Sequence, residues 1–459
     1  MRFCRRYDGG VKIGIIQSRC ATGDLSANLR RIVQGCRRCQ DRGAELLVAG
    51  SGALDGYFAE GLRERHSFRL QARAALHALA AETPLPLVTA SYAALPGEEL
   101  AQPRPYLLCS GQVQMCPESG VYSVAGRSIY VDVAPCLSAP LAGVDAILHL
   151  PGDIWRPGGT REMEKIAEQE ARLCHSRVVI AQGVACAEGR LAAGGSLAAD
   201  AAGVSARCPL FREAAVVSAP GRQALSDELS AADELTEAVC FCLREMAHAR
   251  GDVELAAVVE GPHGRLLLAL ARLAVGARRT RALSRDGARS ALAGKYTRLA
   301  AVPQVDSPAL AERMRAEALS HCADERGLLL LHGMDMATRL CGEILPPPVS
   351  RGGAFAPLGD MLSGEIDMLR KSVARRLPPH LRAELAPEPQ TSDEELLRLL
   401  MLEQRSPAEI AVIRGGDETA ARCLLRKIRQ AAPLQPYYPP ALRMAHRAHA
   451  LPPHHSFCE

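Results

Sequence analysis

VKIGIIQS, residues 11–18, is a short β-branched apolar run, and SRCATGDLSANLRRI, residues 18–32, carries the chain out of it. The run reads as a buried strand. Asp24 is a good helix N-cap residue. Beyond it Leu25, Leu29, Ile32, Val33 and Cys36 recur at helical spacing up to about Arg42, and Gly43 ends the helix. A strand feeding a helix in this way is the repeating unit of an α/β fold. The same alternation continues outward. ELLVAGS (45–51) is the next strand, residues 62–82 a helix, and 86–92 a strand. Strands follow around 106–115, 127–133 and 144–150, then a polar amphipathic helix over 160–177 and a strand over 178–184. Some neighbouring strands read as hairpins.

A second region starts after SAPGRQALSDEL (218–229), a polar, turn-rich stretch that reads as a linker. Residues 234–250 form a helix by pattern. Residues 255–259 form a strand that passes through EGPHGR into an apolar helix at 266–275. Residues 328–331 are a further strand, and PPP at 346–348 is a loop. The last quarter is helical until Pro433, followed by a Pro- and His-rich tail. No internal repeat of fixed period is present.

At 459 residues the chain has room for two or three domains. Its 48% hydrophobic and 23% charged residues exclude a largely disordered or fibrous chain. A net charge of +4 over this length gives no reason to expect a polyanion partner, and 4% aromatics leave little for base stacking. No apolar run approaches the ~18 residues that a membrane helix requires. The 13–16 run is too short for a signal-peptide core. The expectation is a cytoplasmic protein, without nucleic-acid or membrane partners, whose sixteen cysteines are mostly free, buried thiols. Only five lysines occur: Lys12, Lys165, Lys295, Lys371 and Lys427.

Several segments, taken in order, resemble the glutamine-dependent NAD+ synthetases. KIGIIQSRCATGDLSANLRRI resembles that family's opening strand, with Gly23, Asp24 and Asn28 in place. LLVAGSGALDGY resembles its second strand and Gly-Tyr turn, Gly56–Tyr57. AQGVACAEGRLAAGGSLAADAAGVSARCPLF resembles the late strands of its nitrilase-like glutaminase domain, with Gly194–Ser196 and Asp200 to Gly203. AVVEGPHGRLLLALARLAVGA sits like the pyrophosphate-loop strand, turn and helix of its synthetase domain. GGAFAPLGD (352–360), residues 383–394 and RQAAP (429–433) resemble three further stretches. The resemblance implies a nitrilase-like αββα sandwich over 11–216, a linker over 217–232, a Rossmann-like nucleotide domain over 233–432 and a tail over 433–459. It implies glutamine hydrolysis by a Cys, Glu and Lys, with ammonia passed on to amidate deamido-NAD. It also implies ATP and magnesium as cofactors, deamido-NAD or an adenine nucleotide as ligand, and a homo-oligomer.

Laid on this chain residue by residue, the family's chemistry meets substitutions. A thiolate nucleophile needs a base and a cation to hold the oxyanion. The family's Glu falls on Ser51, its Lys near Val113 and its Cys near Val131. No lysine lies between Lys12 and Lys165, and the nearest thiol is Cys136. The Ser-Gly-Gly-x-Asp-Ser pyrophosphate loop becomes Glu260, Gly261, Pro262, His263, Gly264 and Arg265. Glu260 brings a negative charge and Pro262 removes a backbone donor. The Thr-Gly-Asn-Lys-Ser-Glu stretch becomes residues 332–337, where only Gly333 matches. A Lys-Thr pair becomes Ser363–Gly364, whereas 355–360, ending in Asp360, is kept. The segment between 284 and 328 is short for the family.

The expectation is therefore a homologue with degenerate sites and a ligand-binding or scaffold role. The competing expectation is an enzyme with relocated groups: Cys136, Asp132, His149 or His175 for hydrolysis, and His263 with Arg265 for a phosphate. A partner subunit with an apolar surface is a third. Cys36 and Cys39, the histidines 446–455, the arginines 278–285 and Trp155 read as helix residues, a tail, a solvated face and a packed anchor.

Overall fold

The computed structural model describes residues 10–93, 103–116, 119–152, 154–187, 189–221, 223–261, 263–342, 353–385 and 394–444. They form two compact units. One comprises residues 1–187 and 191–228, the other 188–190 and 229–459. Pro262, Gly352, the expected loop at 346–348 and the His-rich tail lie outside the described residues.

The first unit contains two sheets. Strands β1 (Ile13–Gln17), β2 (Leu46–Ala49) and β3 (Leu87–Ser91) run parallel. β4 (Arg104–Cys109) and β5 (Gln112–Met115) continue the sheet antiparallel. The second sheet holds β6 (Gly120–Val124), β7 (Arg127–Asp132), β8 (Ala146–His149) and β9 (Arg177–Ile180). β10 (Val184–Ala187) and β11 (Arg190–Ala193) form a separate hairpin. β12 (Leu197–Asp200), β13 (Gly203–Arg207) and β15 (Ala224–Leu225) complete the second sheet, while β14 (Ala214–Ser218) returns to pair with β1. The strand orders are β14-β1-β2-β3-β4-β5 and β15-β13-β12-β9-β8-β7-β6. The helices are α1 (Leu25–Asp41), α2 (Glu60–Arg63), α3 (His66–Glu82) and α4 (Gly159–Cys174).

Strand period explains the layering. Successive side chains face opposite ways. In β1, Ile13 and Ile15 join a core with Leu46, Val48, Ile129, Val131 and Leu148, between the two sheets. Ile16 faces the other way, into a core with Leu47, Ile32, Cys36, Phe68 and Leu76 beneath α1 and α3. Ile147, Val178 and Leu197 do the same beneath α4. The result is an αββα sandwich whose parallel strands are apolar on both faces.

Three expectations are corrected. The helix over 62–82 is two helices, because Arg65 has extended backbone. The stretch 106–115 is a hairpin turning at Ser110–Gly111, both at positive φ. The stretch 218–229 includes the last residue of β14 and all of β15, so it is built into the sheets. β6 was invisible in the sequence, because its side chains are only partly covered.

The second unit opens with α5 (Ala231–Ala249) and has one parallel sheet, β16 (Leu255–Val258), β17 (Thr280–Ser284), β18 (Lys295–Arg298), β19 (Leu329–Leu331) and β20 (Ala354–Phe355). Its helices continue with α6 (Gly264–Val275), α7 (Pro308–Arg326), α8 (Met336–Cys341) and α9 (Ser363–Arg376). α10 (Pro379–Arg382), α11 (Glu394–Leu397), α12 (Pro407–Arg414) and α13 (Thr419–Ala431) end the series. The order β18-β17-β16-β19-β20 reverses direction at β16. Such a sheet is Rossmann-like, and ligands of open α/β sheets bind at the carboxyl ends beside the reversal.

α1 lies tight on β1. A Cβ at Gly14 would stand 2.7 Å from the Cys39 Cβ and 2.8 Å from Leu47 Cδ2. Backbone-anchored neighbours cannot yield cheaply, so Gly14→Ala should cost about 1–3 kcal/mol through overpacking. Chemical denaturation should show a lower midpoint at unchanged slope. An unchanged midpoint would mean that α1 can shift.

Candidate functional site

In the first unit the motif residues that survive are those that hold loops. The Asp24 side chain accepts the Ala27 N–H and caps α1. Buried Asn28 exchanges bonds with the backbone of Ala21 and donates to Leu54 O at 2.9 Å. This stitches the turn after β1 to the turn after β2. Tyr57 Oη accepts the Gly183 N–H at 2.7 Å. Trp155 is buried, edge-on to Phe211, and is a packed anchor.

The expected chemical positions are elsewhere in character. Ser51 is buried after β2, with its Oγ facing Gly152. Val131 is buried in the inter-sheet core, and half-buried Val113 packs in the outer core beside α1 and α3. The first unit's two lysines, Lys12 and Lys165, are both exposed. Cys136 is exposed in the loop after β7, beside a cavity of about 240 Å³ that Glu170 also lines.

Of the relocated set, Asp132 and His149 are neighbours on β7 and β8, whereas His175 stands apart. Asp132 Oδ1 accepts from Ser119 Oγ at 2.5 Å and Ala134 N at 2.9 Å, and Oδ2 accepts from Tyr130 Oη at 3.1 Å. Burial opposes its charge, but these donors and the charge of His149 hold its carboxyl below the ordinary range. Burial, then the negative charge of Asp132, pushes the Tyr130 phenol up to about 12. His149 is fully buried, with Nδ1 2.9 Å from Ala134 O and Nε2 2.9 Å from Glu170 Oε2. Both ring nitrogens face acceptors, so neither is turned toward a thiol. Glu170 Oε1 accepts the Leu137 N–H at 2.7 Å. This is a strut that ties α4 to the end of β8. His175 lies before β9, whereas His149 pairs with Ile180 at its far end. The two histidines therefore sit at opposite ends of the strand.

One buried carboxyl had no sequence signal beyond its place before Gly56. Asp55 is wholly buried and accepts from Ser91 Oγ and Tyr92 N at 2.5–2.9 Å. Burial pushes its pKa up to about 6 against those bonds. It binds the turn after β2 to the end of β3.

Cys36 and Cys39 are the helix residues expected from the sequence. Cys36 and Cys39 are buried on α1, and burial pushes their thiols up to about 12 and about 11. Thiols so raised are inert.

In the second unit the turn after β16 has folded onto the strand. Gly261 N donates to Val258 O at 3.2 Å, and Gly264 N donates to Gly261 O at 3.0 Å. These N–H groups therefore turn inward and do not face a phosphate. A Cβ at Gly264 would overlap the Val258 carbonyl oxygen and lie 3.0 Å from Val259 O. An aspartate at that position is excluded by sterics. His263 has φ 51°, and its Nδ1 accepts from buried Arg370 at 3.3 Å. Arg265 is exposed.

Carboxylates of the chain itself occupy nearby donor sets. Glu260 accepts from Ser284 Oγ and from the N–H groups of Arg285 and Asp286. Burial opposes its charge, yet those donors hold its carboxyl below the usual value. Glu394 accepts from Ser363 Oγ and, at 2.7 Å, from Gly364 N, where the Lys-Thr pair was expected. Glu384 accepts from Ser290 Oγ and Ala291 N. Asp335 caps α8 by accepting Thr338 N at 2.7 Å, beside Gly333. Buried Asp360 accepts Met444 N at 3.0 Å and pins the 440–444 segment.

A cavity of about 340 Å³ remains at the carboxyl ends of β17 and β18. Arg285, Asp286, Gln304 and Arg315 supply polar groups, against apolar Leu299, Val302 and Ala318. Burial, then the charge of Arg285, pushes the pKa of His332 at the end of β19 down. Among the described residues no group of three His, Cys, Asp or Glu side chains is placed to hold a metal. No described helix is long and apolar enough to cross a membrane.

The chain is similar in structure to the glutamine-dependent NAD+ synthetase of Cytophaga hutchinsonii, at a TM-score of 0.73 and 11% identity, covering 97% of this chain and 98% of that one. It is also similar to the glutamine-dependent NAD+ synthetase of Acinetobacter baumannii in complex with ADP, at a TM-score of 0.67 and 16% identity, covering 95% and 96%. No family model and no curated protein matches the sequence. The likeness is one of fold over the whole length, and it is the nitrilase-like plus Rossmann-like architecture expected from the sequence.

Two outcomes follow from this geometry. Asp55 binds its proton more tightly in the folded state, from an unfolded value near 3.8 to about 6. Its contribution is full below pH ~4 and is lost as pH rises through about 6, a swing of about 3 kcal/mol. Asp55→Asn removes this titration, so the melting temperature of the natural chain should fall relative to that variant between pH 4 and 7. A constant difference would show that Asp55 is not desolvated. Gly264→Asp, which restores the family's acid, should lower the melting temperature and give no magnesium binding by calorimetry. A stable variant that binds magnesium would show the turn to be open.

Proposed function

We propose that this chain is a catalytically silent counterpart of the glutamine-dependent NAD+ synthetases that keeps a nucleotide-sized site and acts by binding. The observation that carries the reading is the turn after β16. Its N–H groups bond to its own carbonyls, and Gly264 leaves no space for a metal-facing acid. Phosphate transfer depends on such donors and on the metal. The glutaminase side adds a second, independent loss: a buried Ser51, an apolar Val131 and only exposed lysines. Either loss alone removes orders of magnitude in rate.

The binding role rests on the cavity beside β17 and β18. Its volume of about 340 Å³ lies within the range of small-molecule sites, ~300–1,000 Å³. Arg285 and Arg315 would meet the charge of an adenine nucleotide or of deamido-NAD in place of the closed turn. Intracellular residence and self-association belong to the same proposal.

The test is NAD formation measured by mass spectrometry. Purified protein receives deamido-NAD, ATP and magnesium, once with glutamine and once with ammonium. No product is expected in either tube from a sample that is folded by circular dichroism. Product from ammonium alone would overturn the argument from the β16 turn. Product from glutamine would overturn both site arguments.

A further inference from the structure

A second cavity, of about 390 Å³, opens in the first unit at the end of the second sheet opposite to Asp132 and His149. Strand register builds its charged wall. β8 pairs Ala146 with Arg177 of β9, and β9 pairs Val178 with Ala199 of β12. Continuing each ladder by one residue puts Asp145 and Asp200 on the strands flanking Arg177. Neighbouring strands are ~4.8 Å apart. Asp200 therefore stands opposite Arg177, while Asp145 stands one residue off, opposite Ser176, and all three line the cavity.

The groups are held by the fold, not by one another alone. Arg177 Nη1 donates to Val11 O at 2.9 Å, and its buried Nε has no hydrogen-bond partner among the described residues. Burial depresses the guanidinium's pKa, and Asp200 acts against that depression. The Asp145 carboxylate accepts Ser128 N, and that of Asp200 accepts Ala202 N, both at 2.8–2.9 Å. Asp145 Oδ1 also lies 3.8 Å from Arg127 Nη1. Each carboxylate thus has a fixed direction, and that of Asp200 keeps oxygen capacity to spare. His175 and Ser176 add polar groups to the wall, and Val11, Ala201, Ala202 and Pro220 supply its apolar part.

We propose that this cavity binds a free α-amino acid with a bulky apolar side chain. Arg177 takes the carboxylate, Asp200 and Asp145 take the ammonium, and the side chain lies against Ala202 and Pro220. A lone carboxylate would face two acids, and a lone amine would face the guanidinium. A zwitterion meets both signs at once, and charge-assisted bonds of each sign are the strong ones. The volume exceeds that of a small amino acid, which selects a large side chain. The site is independent of the nucleotide cavity and of any catalytic competence.

Calorimetric titration of the full chain with L-leucine and L-phenylalanine tests this. Their N-acetyl and methyl-ester derivatives serve as controls. Each blocked form should bind at least about tenfold more weakly, the scale of one charge-assisted bond. Ala202→Trp fills the cavity from an exposed turn without touching the charges. It should abolish binding with no loss of melting temperature. Arg177→Met should do the same to binding, but the lost bond to Val11 can also lower stability, so Ala202→Trp is the deciding variant. Equal binding of blocked and free forms would overturn the proposal. So would binding that survives Ala202→Trp, or no binding of either amino acid at millimolar concentration.

Discussion

The fold depends on strands that are covered on both faces. Ile13 and Ile15 point into the space between the two sheets, and Ile16 points into the layer under α1 and α3. A strand of this kind has no solvent face, so each sheet must be covered by a helix on one side and by the other sheet on the other. Gly14 shows how close that cover is, because α1 leaves no room for a single methyl there. Positions that face these cores are fixed by packing and are retained whatever becomes of the chemistry.

The polar positions obey a different constraint. A buried N–H or carboxylate must find a partner, or it costs folding free energy. An enzyme of this architecture can leave donors at strand ends for its substrate. In this chain the donors are satisfied internally. Glu260, Glu384 and Glu394 each sit on a hydroxyl and backbone N–H groups of their own unit. The turn after β16 bonds to itself. In the first unit Asp132, Tyr130, Ser119, His149 and Glu170 close into pairs that tie α4 and the strand ends together. Groups that would serve chemistry elsewhere serve cohesion here.

What stays open differs from what is closed. The cavity beside β17 and β18 and the cavity at the start of β9 both combine arginine with apolar walls. Both therefore set charge against an apolar surface.

The sequence alone determined the layered fold, because period-two apolar strands, capped helices and collinear motifs specify which faces are buried. Residue type alone also says that Val113 and Val131 have no proton to transfer and that the Ser51 hydroxyl is not a base at neutral pH. Tertiary structure decided the rest. That Gly264 abuts the Val258 carbonyl, that Asp55 is a desolvated carboxyl, and that Asp145, Arg177 and Asp200 line one cavity are facts of register and close approach. Residues distant in sequence acquire their electrostatics from such neighbours, and no local pattern in the chain encodes them.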